Sequence, residues 1–109
     1  MIDVYVPTTD GRELSLTRYT QPESELKLLR AIRRLGREHP LDLAATFMGA
    51  HEVPPEYRDR RGAYVDLIID DMIPAVAREN LAEWCDVFCE AGVYTPDESR
   101  RMLQAAQRA

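Results

Sequence analysis

Apolar positions along the chain alternate between helical spacing and short unbroken runs. Val65, Ile68, Ile69, Met72, Ile73 and Val76 fall at i, i+3, i+4, i+7, i+8 and i+11, the strongest periodic signal in the sequence. That stripe predicts a long helix opening at Asp59 or Arg60. Pro74 lies inside it and removes a backbone donor, which predicts a kink near residues 70–73 or a break into two pieces. Leu28, Leu29, Ile32 and Leu35 mark an earlier helix. Its start is the capping box Thr20-Gln21-Pro22-Glu23 and its expected stop is Gly36. Thr95-Pro96-Asp97-Glu98 repeats the same grammar before a last helix, with Met102, Leu103 and Ala106 expected to face inward.

Two strand-like runs, the first with little alternation, separate these helices, at residues 41–48 and 84–90. The first fits a strand covered on both faces, as in a parallel sheet. Residues 2–6 alternate, Thr8-Thr9-Asp10-Gly11 is turn chemistry, and Leu14-Ser15-Leu16-Thr17 suits a returning strand, so an N-terminal β-hairpin is expected. From residue 21 onward the order is helix, strand, helix, strand, helix. This is α/β, with two parallel strands joined by a crossover helix. Two parallel strands leave both sheet edges bare, which implies a part of something larger. No Gly-rich loop precedes a helix, so nothing supports a dinucleotide or P-loop reading.

Composition narrows the function classes. The 109 residues are 45% apolar and carry a formal charge of −5. Such a balance fits one small globular domain, or a piece of a larger one. The basic cluster Arg30, Arg33, Arg34 and Arg37 is flanked by acids and reads as a solvated helix face, so no nucleic-acid partner is expected. No apolar run approaches the ~20 residues of a membrane span, and no leader pattern opens the chain. No membrane partner and a cytoplasmic location are the expectation.

Candidate chemistry is sparse. Cys85 and Cys89 on a strand would share a face roughly 13 Å apart, beyond disulfide reach. On a helix they would be one turn apart and could hold a metal; buried, inert cysteines are the simpler reading. His39 precedes the first predicted strand and His51 follows it, so one metal cannot take both. No His-x-His pair and no Ser-His-Asp arrangement is present. His51 lies just past the carboxyl end of a strand, where α/β sheets and barrels place ligands. Glu90 holds the corresponding end of the second predicted strand and is a second rim candidate.

Four blocks carry a family resemblance: Glu25-Leu26-Lys27-Leu28-Leu29-Arg30, residues 46–57, Asp71-Met72-Ile73-Pro74-Ala75-Val76-Ala77, and Asp86-Val87-Phe88-Cys89-Glu90. In that order and spacing, they resemble the middle of imidazolonepropionase, an amidohydrolase, over about residues 21–108. Gly49-Ala50-His51 with Val53-Pro54-Pro55-Glu56-Tyr57 is the most specific part, and Glu52 departs from the family's usual alanine. The resemblance implies a partial (β/α)8 barrel over residues 21–109, with residues 1–20 foreign to the family. It implies a metal-dependent hydrolase, using zinc or iron, that converts 4-imidazolone-5-propanoate to N-formimidoyl-L-glutamate in histidine degradation. By the same resemblance His51 is a substrate-binding residue.

The family's metal ligands, a His-x-His pair and a later His and Asp, have no counterpart in this sequence, and Tyr19 does not align with the family's substrate tyrosine. The expectation is therefore a central fragment that by itself holds no catalytic residue, binds no metal and is inactive. The alternative is a non-enzymatic α/β module that self-associates through its sheet edges, as a homo-oligomer or as the complement of another barrel fragment.

Overall fold

The computed structural model describes residues 5–7, 13–15 and 22–109. Strands β1 (Tyr5–Pro7) and β2 (Glu13–Ser15) pair antiparallel with Val6 opposite Leu14, as the expected hairpin requires. The Thr8-to-Gly11 turn and the Thr20 cap lie outside the described residues. Helix α1 (Pro22–Glu38) follows, then β3 (Thr46–Ala50), a crossover, β4 (Trp84–Val87) and α4 (Pro96–Arg108). β3 and β4 run parallel, so the mixed α/β order read from the sequence is the observed one.

The crossover is helical but not uniform. A 3-10 turn (Pro55–Arg60) leads into α2 (Arg61–Leu67), a π-helical turn (Ile68–Met72) and α3 (Ile73–Glu79). Pro74 explains the break, because it has no N–H for the carbonyl four residues back and its ring crowds that turn. The chain widens just before it, and Ile73 N–H reaches back five residues to the Ile68 carbonyl. The apolar stripe survives this change, with Val65, Ile68, Met72, Ile73 and Val76 all buried. α3 stops at Asn80, whose left-handed backbone (φ 52°) suits an asparagine.

Both strands differ from their expected bounds. The first begins at Thr46 rather than Leu41 and runs on through Gly49 and Ala50. β4 reaches back only to Trp84, opposite Thr46, so among the described residues Leu41 and Leu43 have no strand beside them and are exposed. The second strand ends at Val87, with one more inter-strand bond from Phe88 N–H to the Ala50 carbonyl at 2.9 Å. Between Phe47↔Cys85 and Ala50↔Val87, β3 advances three residues while β4 advances two. This extra residue is a bulge, the kind of irregularity that re-aims a side chain at a strand end. Gly49 sits in it of necessity. A Cβ there would lie 2.5 Å from Phe47 Cζ and 2.9 Å from Met72 Cε.

The helices cover one face of this sheet. Phe47 is buried in the core with Leu29, Tyr64, Ile68, Met72 and Met102, and Cys85 and Val87 pack against it. The other face carries Met48, Trp84 and Phe88, which are 45%, 64% and 45% exposed. A strand covered on both faces was the expectation; among the described residues only one face is covered. Helix α1 also corrects its expected stop. It passes through Gly36 to Glu38 and ends where Pro40 cannot continue it. Leu29 is the apolar residue it buries, whereas Leu28 and Leu35 are exposed. The arginine cluster is not simply solvated. Arg30 grips Glu79 with two bonds of 2.8 and 2.6 Å, and Arg33 donates to the Glu79 carbonyl at the end of α3. In α4 the capping box forms as read, with Met102 buried and Leu103 exposed rather than inward.

Candidate functional site

His51 is the first residue past β3, and the backbone on either side of it is held at three carbonyls. The Gly49 carbonyl accepts the Tyr64 hydroxyl at 3.0 Å. The Ala50 carbonyl accepts Phe88 N–H, and the Glu52 carbonyl accepts the Tyr94 hydroxyl at 2.8 Å. Tyr64 and Tyr94 come from α2 and from the loop before α4, and both are buried. Burial pushes both phenols well above their ordinary value, so each remains a donor. The loop that carries His51 is thus fixed to the helices that cover the sheet.

The side chain is held from β4. His51 Nε2 lies 3.0 Å from Asp86 Oδ2, and the imidazole lies nearly parallel to the Phe88 ring, with centroids 6.1 Å apart and planes 13° apart. Asp86 Oδ1 accepts Val87 N–H at 3.0 Å, which orients the carboxylate. Trp84, Asp86 and Phe88 are alternate residues of one stretch and share the open side of the sheet. The site therefore stands at the carboxyl ends of two parallel strands, on the face left bare by the helices.

Beneath it lies Glu25 of α1, 3% exposed, whose Oε1 accepts Met48 N–H at 2.7 Å. Burial raises its carboxyl above the ordinary value; the Met48 bond and the His51 charge act the other way without cancelling it. Cys85, half-buried, has its thiol pushed up to about 11 by burial and by Asp86, and is an inert neutral group at neutral pH. Cys89 is exposed, past the end of β4, so only Cys85 fits the expected buried cysteine.

Glu90 does not take the rim position expected of it. β4 ends three residues earlier, and Glu90 builds the following turn, with its carboxylate accepting Ala91 N–H and its carbonyl accepting Val93 N–H. The carboxylate that meets His51 is Asp86, which sequence reasoning left unassigned. Alternation along β4 was the available signal, since Asp86 falls between Trp84 and Phe88 on their face. His39 stays at the end of α1, where Nδ1 accepts Leu41 N–H at 3.2 Å. Among the described residues no group of three or more His, Cys, Asp or Glu side chains is placed to hold a metal. No described helix is long and apolar enough to cross a membrane.

No family model matches the chain. Among curated proteins, 87 of its residues are 56% identical to imidazolonepropionase of Alkaliphilus metalliredigens, covering 80% of this chain and 21% of that one. Over 84 residues it is 63% identical to the imidazolonepropionase of Symbiobacterium thermophilum, covering 76% and 20%. Over 86 residues it is 54% identical to that of Brevibacillus brevis, covering 79% and 20%. The resemblance read from the four blocks is borne out, and the chain spans about a fifth of the length of these relatives. The alternative of a self-associating module gains no support from them.

Proposed function

Taking the chain as a segment of imidazolonepropionase, we propose that it forms part of a (β/α)8 barrel and contributes His51 to the substrate site. The reaction is the hydrolysis of 4-imidazolone-5-propanoate to N-formimidoyl-L-glutamate, a step of histidine degradation in the cytoplasm. One observation carries the placement. An imidazole is held between a carboxylate and an aromatic ring just past the carboxyl ends of two parallel strands, the end at which such barrels bind ligands. The bare face of Met48, Trp84 and Phe88 supports the barrel, because inward residues of a barrel strand pack only against the other strands.

Within this reading His51 orients the substrate ring through a hydrogen bond, and the fixed carbonyls of Gly49, Ala50 and Glu52 keep the imidazole in place while it does so. The zinc or iron implied for the intact enzyme does not fit the described residues. Among the described residues Asp86 is the acid within bonding distance of His51, and Glu25 is taken by Met48 N–H. In this reading the metal is held by other strands, and the isolated chain is expected to be inactive.

The test is a graft. Residues 22–108 replace the matching segment of the Symbiobacterium thermophilum relative, and turnover of 4-imidazolone-5-propanoate is followed. The graft is expected to hydrolyse it, and His51→Ala to lower kcat/KM by about 10²-fold or more. A folded, active graft in which His51→Ala changes nothing sinks the assignment. The chain alone, supplied with zinc or iron, is expected to consume no substrate above background; consumption would overturn its inactivity.

A further inference from the structure

The geometry points to Asp86 as the residue that positions His51 and fixes which ring nitrogen faces the substrate. A neutral imidazole carries one N–H, and a carboxylate oxygen only accepts. Asp86 Oδ2 lies 3.0 Å from Nε2, so the proton resides on Nε2 and the lone pair on Nδ1. The carboxylate is held by its own strand through Val87 N–H, and Phe88 sets the plane of the ring. Glu25 also acts on the ring, and its Oε1 is committed to Met48 N–H. His51 thus presents Nδ1 as an acceptor. The substrate group opposite it is an N–H donor, as a ring amide of an imidazolone would supply.

Asp86 is 61% exposed, and an exposed pair of this kind adds little to stability. Its effect lies in the tautomer. The substrate part rests on the proposed role of His51, whereas the tautomer part does not.

The experiment is long-range ¹H–¹⁵N correlation NMR of the whole chain at about pH 9, above the usual imidazole range. His51 is expected to show the Nε2–H pattern. In Asp86→Asn that preference is expected to fall to a mixture, with the thermal midpoint unchanged, and Asp86→Glu is expected to restore it in part. A dominant Nδ1–H form in the unaltered chain overturns the inference without any variant. An Asp86→Asn chain that keeps a pure Nε2–H ring overturns it too. In the graft, Asp86→Asn is expected to raise KM several-fold more than it lowers kcat. If the tautomer shifts in the chain but graft kinetics do not, the positioning of the ring stands and the substrate contact of His51 falls.

Discussion

The two faces of the β3–β4 pair are made from alternate residues of the same two short strands and are treated in opposite ways. On one, Phe47 is 2% exposed, and Gly49 leaves no room for a single added carbon between Phe47 and Met72. On the other, Met48, Trp84 and Phe88 stand open, together with the His51–Asp86 pair. The difference comes from where a βα unit finds its partners. Its helices fold back from neighbouring sequence and cover the outer face at low loop cost. The inner face of a barrel strand is covered by strands from elsewhere in the chain. On the barrel reading proposed above, the described helices complete the outside, and the inside, with the His51–Asp86 pair, is left to strands that the described residues do not supply.

Substitutions on the two faces can break this contrast. The largest effect is expected from Ile68→Ala, which opens a cavity at the π turn and costs about 2–5 kcal/mol in denaturant unfolding. Gly49→Ala forces the bulge apart against Phe47 and Met72 and costs about 1–3 kcal/mol. A smaller, pH-dependent effect belongs to Glu25. Burial raises its folded-state pKa above the ordinary 4.5, so the folded chain keeps that proton to higher pH than the unfolded chain does. Its contribution is therefore fullest below 4.5 and is lost as pH rises through the raised value. Glu25→Gln should match the unaltered chain at low pH and gain on it as pH climbs, read from paired unfolding curves. The least effect is expected on the bare face. Trp84→Ser or Met48→Gln should change stability by no more than about 0.5 kcal/mol. In the graft, Met48→Gln should cost about 2–5 kcal/mol, because the rest of the barrel would bury it. Equal costs in the two settings would remove the case for a covered inner face.

Much of the frame was legible from local chemistry. The Thr95 capping box, the Pro74 break and the helical stripe each depend on residues within a turn or two, and each formed where the pattern put it. Strand bounds were not legible in the same way. β3 starts and stops where β4 offers partners, so its length is a property of the pair, and Leu41 looks like a strand residue until its neighbour is missing. The site divided along the same line. His51 could be picked out because it follows an apolar run and a glycine. Asp86 could be placed on a strand face but not paired with His51, because 35 residues separate the two and nothing local links them.

By itself, then, the sequence determined the kinds and order of the elements, the family resemblance and the histidine at the rim. The elements follow from periodicity, capping and proline, which act over a few residues, and the resemblance rests on the four blocks of sequence. Tertiary structure alone decided the bulge at Gly49, the open face of the sheet and the carboxylate that holds His51. Each of those needs two distant stretches of chain side by side, and only packing brings them there.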